Sequence, residues 1–223
     1  MSGDKDKPAP GSLFRKAIGY VLDRSATPHG SVALDWSYNP TGEMAAWASC
    51  FHFAAETLVR DISTRETYAD REACPIVFLY RHALELCLKA LLLEAATLML
   101  AEGGDPDFSE QLSKHDLKPL VTPLQETFGR FNHSWMLSKE VSCSYEDVLE
   151  LVEELDRLDS GSYAFRYPVT KSFNSPSLPH HLRFNLFEFS RRAGKALEGL
   201  QALISRVYFE LCRIIDDEEE IQE

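Results

Sequence analysis

The stretch YRHALELCLKALLL (80–93) decides the fold, because it is apolar around most of a helix and yet carries four polar side chains. Arg81, His82, Glu85 and Lys89 fall within nine residues of one another. With Arg81 at 0°, Glu85 falls at about 40° and Lys89 at about 80° around an α-helix. His82 falls at about 100°, so the four share one quarter of the helix surface. We call this set the polar island.

The sequence alone leaves the role of the polar island open. In one interpretation it is a solvated window, in which i,i+4 pairs of opposite charge contribute about 0.2–0.5 kcal/mol each. In another it is a cleft where other segments of the chain meet it, with a positive net charge and a histidine that titrates near neutrality, which suits a phosphate. In the last it is a buried ion network that serves only the structure.

The composition is that of a folded globular chain rather than a disordered, collagenous or disulfide-stapled one. Of 223 residues, 44% are hydrophobic and 26% are charged, and the formal net charge is −12. An acidic chain repels nucleic acid at long range, so any RNA contact needs a local basic patch. Five cysteines without CxxC spacing are typical of a reducing cytosol. With no signal peptide and no membrane span apparent, we expect a cytoplasmic protein without a membrane partner.

Helical spacing predicts an all-α bundle of five or six helices, and no stretch alternates as a strand should. Thr41 and Ser144 are predicted N-caps, and Thr122 is predicted to open a capping box with Gln125. The predicted segments are a disordered leader at 1–11, a helix (12–26) and loop in an extension over 12–42, a bundle over 43–215, and an acidic tail at 216–223. The bundle helices are expected at 43–62, at 75–101, from 122, at 144–159 and at 182–216.

Two further segments are candidates to meet the polar island. In KHDL (114–117), His115 precedes Asp116, which either orients the imidazole or caps the next helix. In FRYP (165–168), Arg166 stands between aromatic residues and precedes Tyr167. A guanidinium there either grips a phosphate with its planar fork or stacks on a tyrosine and satisfies loop carbonyls.

Together these segments resemble the HEPN superfamily (higher eukaryotes and prokaryotes nucleotide-binding), a helical-bundle fold common in bacterial toxins and defence systems. The resemblance rests on PIVFLYRHALELCLKALLL (75–93), KHDLKPLVTPL (114–124) and FRYP before a long closing helix, and covers about 43–212. It implies a homodimer, an RNA, nucleotide or protein partner, and in many members a metal-independent RNase. The RNase signature is an arginine followed four to six residues later by a histidine.

This chain departs from that signature. Arg166 is followed at 170–172 by Thr170, Lys171 and Ser172, and the next histidines come only at 180 and 181. A catalytic site would therefore have to be rebuilt from Arg166 with His115 or His82, while Arg81, Glu85, Lys89 and Tyr167 bind or orient the ligand. The alternative is a non-catalytic module for interaction or for binding RNA or nucleotides, which the acidic net charge favours.

No sequence pattern indicates a cofactor or a metal. A Walker loop, GxGxxG, GxSxG and HExxH are all missing. The histidine pair at 180–181 lacks a spaced partner ligand. Trp36, Trp47 and Trp135 are isolated and are interpreted as core residues.

Overall fold

The computed structural model describes residues 39–65, 70–131 and 143–222, which belong to one compact unit, Tyr38–Glu223. Within the described residues the chain is α-helical and has no β-sheet; its only extended pairing is an isolated bridge between Val169 and Pro176. The predicted all-α class is therefore confirmed. The predicted leader (1–11) and the predicted helix over 12–26 lie outside the described residues.

The described helices, in chain order, are α1 (Pro40–Ser63), α2 (Ala73–Ala101), α3 (Ser109–Ser113), α4 (Lys118–Val121), a 3-10 turn (Thr122–Leu124), α5 (Gln125–Phe131), α6 (Tyr145–Asp159) and α7 (Leu186–Gln222). No helix in this part of the chain is both long enough and apolar enough to cross a membrane.

Helix α2 is the centre of the bundle and packs against α1, α4 and α7. Its apolar residues surround the helix axis, so it can be covered on nearly every side. Leu84, Leu88 and Leu91 are fully buried there. Burying one such side chain stabilises the fold by about 1.5–3 kcal/mol. Because α2 is central, the polar island that it carries is brought against the other elements.

Helix α1 begins at Pro40, three residues before the predicted boundary of the bundle. The side chain of Asn39 caps it by accepting a hydrogen bond from Gly42 N (3.1 Å). Proline at the first helical position has no N–H to leave unsatisfied. The predicted cap at Thr41 is therefore wrong, since Thr41 already lies within the helix.

Two other predicted caps have opposite outcomes. Ser144 caps α6 as predicted: its Oγ accepts from Asp147 N (3.1 Å), and Asp147 Oδ2 accepts from Ser144 N (2.9 Å). Thr122 does not cap, because its backbone is already helical and its hydroxyl donates to Lys118 O (2.8 Å). The predicted capping box is wrong at that position, since a cap residue needs an extended backbone.

Helix α7 begins later and ends later than predicted. Asn185 Oδ1 accepts from Phe187 N (3.0 Å) and Glu188 N (3.1 Å), which starts the helix at Leu186 rather than at 182. The backbone stays helical to Gln222, beyond the predicted end at Asp216. The connection between α6 and α7 therefore spans 160–185.

The caps give a direct test of these helix starts. Ser144→Ala is expected to lower the free energy of unfolding by about 1 kcal/mol, because it leaves a backbone donor of α6 without its partner. Thr122→Ala, at the position that does not cap, is expected to change it by less than about 0.5 kcal/mol. Urea unfolding followed by circular dichroism measures both, and equal losses would contradict the assignment.

Candidate functional site

Arg81 lies at the centre of the polar island and is fully buried. Its Nε donates to Asp159 O (3.0 Å), and one terminal nitrogen donates to His115 O (2.7 Å) and Ser160 O (2.9 Å). The other terminal nitrogen lies 3.5 Å from Glu85 Oε2. Arg81 therefore ties α2 to the segment before α4 and to the end of α6. A phosphate has no access to it in this arrangement.

Glu85 is the buried acceptor of the polar island, with 2% of its surface exposed. Its Oε1 lies 3.0 Å from Lys89 Nζ and 2.9 Å from His115 Nδ1. Lys89 is buried too, whereas 64% of the His115 side chain is exposed. Glu85 thus links two inward-facing cations to a histidine on the surface and fixes the orientation of that imidazole.

Asp116 has neither of its predicted roles. The imidazole of His115 faces Glu85 rather than the adjacent carboxylate. The start of α4 is satisfied instead by Asp156 of α6, whose carboxylate accepts from Leu117 N (3.1 Å) and Lys118 N (2.7 Å). Burial raises the pKa of the Asp156 carboxyl, against the effect of these hydrogen bonds. The role of Asp156 was not visible in the sequence, because a cap contributed by another helix leaves no local spacing.

Asp159, the last residue of α6, holds the following loop from inside. It is buried, and its Oδ1 accepts from Tyr163 N (2.5 Å) and Ala164 N (2.8 Å). Its own carbonyl is held by Arg81. A carboxylate at the C-terminus of a helix is unfavourable because the helix dipole is negative there. The position of Asp159 at the end of α6 therefore indicated, from the sequence alone, that its side chain binds something other than its own helix. Arg81 and Asp159 together fix the backbone that leads to Arg166.

Arg166 is exposed and lies between two rings. Its Cζ is 5.5 Å from the centroid of Phe78 and 5.9 Å from that of Tyr167. The stacking alternative for Arg166 is therefore what the structure contains, but the loop carbonyls of Ala164 and Tyr167 accept from Ser177 Oγ rather than from Arg166. Among the described residues, Arg166 makes no ion pair with a carboxylate. Its guanidinium edge is thus available to an anion.

The rings around Arg166 belong to a longer row on the surface. Tyr167 stacks on Tyr163 at 4.5 Å, and Lys171 Nζ lies 5.5 Å from the Tyr163 centroid. On the other side of Arg166, the Phe78 ring is parallel to that of His82 at 5.7 Å, and the Phe51 ring meets His82 edge-on at 4.5 Å. We call the row the cation–aromatic stack: Lys171, Tyr163, Tyr167, Arg166, Phe78, His82 and Phe51.

Trp47 lies next to this row rather than in the core. Its ring centroid is 6.3 Å from that of Phe51, and 41% of its surface is exposed. The predicted core position is therefore wrong for Trp47. Trp36 and Trp135 lie outside the described residues.

The predicted catalytic residue His82 lies close enough to the other two, Arg166 and His115, for their charges to change its pKa. Burial lowers the pKa of His82 below its ordinary value of 6.5, the Glu85 charge raises it, and the charges of Arg166, Arg81 and His115 lower it. His82 is thus neutral at pH 7, beside an exposed arginine and an exposed histidine. Helical spacing predicted that His82 and Arg81 share one face of the helix. The two differ in exposure, since Arg81 is fully buried and His82 is half-buried.

The connection over 160–185 contains no aspartate or glutamate. It carries Arg166, Lys171 and Arg183, which give it a formal charge of +3 in a chain of −12. This is the local basic segment that contact with an anion needs. The signal was present in the sequence as an acid-free run of 26 residues next to acidic helices.

A mostly apolar cavity lies behind these residues. It has a volume of about 200 Å³ between α6 and the start of α7, with Leu155, Phe165 and Phe189 in its wall. None of the predicted site residues lines it. Across the described parts of the chain, no group of three or more His, Cys, Asp or Glu side chains is placed to hold a metal ion.

Comparisons with protein-family models, curated proteins and solved structures each returned no match. The resemblance to the HEPN superfamily, the RNA partner and the homodimer therefore stay predictions.

The buried half of the polar island predicts a large effect on stability. Arg81→Ala is expected to lower the free energy of unfolding by about 3–5 kcal/mol, because it leaves three backbone carbonyls without their donor and removes the cation paired with Glu85 and Asp156. Arg166→Ala removes the same charge from an exposed position and is expected to cost less than about 1 kcal/mol. Guanidinium chloride unfolding compares the two; similar losses would contradict the structural role of Arg81.

His82 gives a prediction for pH. Because its pKa is lowered in the folded state, the unfolded chain binds more protons once the pH falls below 6.5. The free energy of unfolding is therefore expected to fall as the pH drops from 6.5 toward the lowered pKa. His82→Phe keeps an aromatic ring in the row and removes the titration, so this part of the pH dependence should disappear. NMR titration of the imidazole measures the pKa directly, and a value above 6.5 would rule the prediction out.

Proposed function

We propose that this chain is a HEPN-like helical module that binds the phosphates of RNA or nucleotides without cleaving them. The observation that carries the proposal is the acid-free connection 160–185, which places Arg166 on the surface, where its charge and that of His115 both act on His82. The setting in a toxin or defence system comes from the resemblance alone.

Phosphate is the ligand that suits the exposed cations. The guanidinium of Arg166 is planar and lies within about 6 Å of the Phe78 and Tyr167 rings, and because the side chain is exposed its donors stay open to solvent. The imidazole of His115 is exposed and oriented by Glu85. Two fixed cationic or donor groups beside stacked rings are typical of surfaces that follow a single nucleic-acid strand.

Three side chains of the polar island serve the structure rather than a ligand. The buried members of the polar island are Arg81, Glu85 and Lys89. They pair with one another, and Arg81 also donates to backbone carbonyls. These three side chains therefore stabilise the bundle and cannot contact a reacting phosphate. The phosphate ligands left to the surface are therefore the exposed side chains of Arg166 and His115, with His82 half-buried beside them.

A metal-independent RNase is the second candidate, and one observation favours it. Glu85 and His115 form a carboxylate–imidazole pair at 2.9 Å, with the rest of the ring exposed. A carboxylate that holds one ring nitrogen fixes the tautomer and prepares the other nitrogen for proton transfer. His115 as acid or base with Arg166 on the phosphate would be the rebuilt site.

Binding is tested with a fluorescently labelled single-stranded oligoribonucleotide and fluorescence anisotropy at several salt concentrations. Arg166→Ala is expected to raise Kd about tenfold, since one charge-assisted hydrogen bond contributes about 1.5–3 kcal/mol. The slope of log K against log salt should also fall by about 0.7, the value for one phosphate contact on a single strand.

Arg191→Ala is the matched control. Arg191 is an exposed arginine of α7 that pairs with Glu188 at 2.6 Å, so its removal changes the net charge by the same amount. It is expected to leave Kd within about twofold. Equal weakening by both variants would contradict a localised phosphate site. Total RNA and tRNA should stay intact with and without EDTA; EDTA-resistant cleavage that His115→Ala abolishes would establish the RNase instead.

A further inference from the structure

The tip of the connection between α6 and α7 is a closed hairpin-like turn over 168–177. Thr170 N donates to Ser175 O (2.9 Å) and Ser177 N donates to Pro168 O (3.2 Å). The bridge between Val169 and Pro176 lies within it. The turn follows directly on the Arg166 segment and contains Lys171, the end member of the cation–aromatic stack.

Phe173 at this tip has both an exposed apolar side chain and a strained backbone. It is 80% exposed, so a large apolar ring contributes almost nothing to the core. Its φ is +57°, in the left-handed region that side chains other than Gly, Asn and Asp seldom adopt. Strain of this kind persists where the surroundings impose it, and it concentrates at functional sites.

Polar side chains of the turn impose this conformation. Asn174 Oδ1 accepts from Ser172 Oγ (2.7 Å) and from Thr170 Oγ1 (3.2 Å), and Phe173 N donates to Thr170 O (2.8 Å). These hydrogen bonds fix the backbone at Phe173 and leave its ring in solvent before any ligand arrives. A group ordered in advance loses less conformational entropy on binding.

The neighbours of Phe173 indicate which ligand its ring takes. Lys171, Ser172, Asn174 and Ser175 surround it in sequence, so the ring is the one apolar side chain over 170–175. The core of a protein–protein contact is a cluster of apolar anchors instead. One flat ring with hydroxyl, amide and ammonium groups beside it, and no carboxylate in the connection, matches a nucleobase attached to a phosphate.

We propose that Phe173 is a nucleobase-stacking subsite, which takes an unpaired base of the strand whose phosphate lies at Arg166. The subsite rests on the proposed function. Thr170 and Asn174 fix the backbone that presents the ring, and Lys171, over the Tyr163 ring, adds a cation two residues earlier. Binding therefore depends on bases as well as on phosphates.

Two labelled oligonucleotides of equal length, one with bases and one abasic, separate the two contributions in an anisotropy titration. Wild type is expected to bind the base-bearing strand about tenfold more tightly than the abasic one. Phe173→Asn removes the ring and suits the left-handed backbone; it should abolish this preference and leave the abasic Kd unchanged. Phe173→Trp should keep the preference. Phe209→Ala, at a 64% exposed phenylalanine of α7, is the control and should change nothing.

The outcomes separate this subsite from the proposed function. If Phe173→Asn keeps the base preference while Arg166→Ala loses affinity, the subsite is wrong and the phosphate site stands. Equal loss for both strands in Phe173→Asn would indicate a general change in the turn and would also overturn the subsite. A wild type that binds neither strand would reject both proposals. Loss of self-association with unchanged Kd would assign the ring to a protein contact.

Discussion

The fold depends on the burial of one guanidinium. Removing Arg81 from water is costly unless all its donors find acceptors, and the acceptors here are the carbonyls of His115, Asp159 and Ser160. Two of these carbonyls lie at the C-terminal end of α6, where a helix leaves its last carbonyls without partners. Each side therefore satisfies the other: the helix end needs donors, and the buried cation needs acceptors at the negative end of a helix dipole.

The surface row follows from that buried arrangement. Since Arg81 holds the backbone of Asp159, the carboxylate of Asp159 is free to accept from the N–H groups of Tyr163 and Ala164. The chain then emerges at Arg166 with its direction already set. On the other side of Arg81, Glu85 binds Nδ1 of His115 and so fixes the orientation of that ring. The exposed groups are thus positioned by hydrogen bonds whose acceptors, the Asp159 and Glu85 carboxylates, are buried.

Periodicity predicted what each helix contributes by itself, and little of what other elements add. The central helix, its polar quarter and the Ser144 cap all follow from local spacing. Local spacing does not predict which members of the polar island are buried. Arg81 and His82 are neighbours on one helix, yet only Arg81 is covered by the end of α6. The same reason explains Asp156, which caps α4 from another helix. Helix α7 starts at Leu186 and not at the predicted residue 182, because the side chain of Asn185 caps it. The apolar pattern from which the start was predicted does not register a cap.

The acidic net charge does not oppose an anion at this surface. Charges separated by more than about 8 Å in physiological salt are largely screened where solvent lies between them. What an approaching phosphate encounters is therefore local: Arg166, Lys171 and His115, with the carboxylate of Glu85 already neutralised by Arg81 and Lys89. The remaining acids act at long range, where they slow the approach of any polyanion more than they weaken a bound one. Such a surface favours a ligand that offers rings to stack on as well as phosphates, because charge alone would bind weakly here.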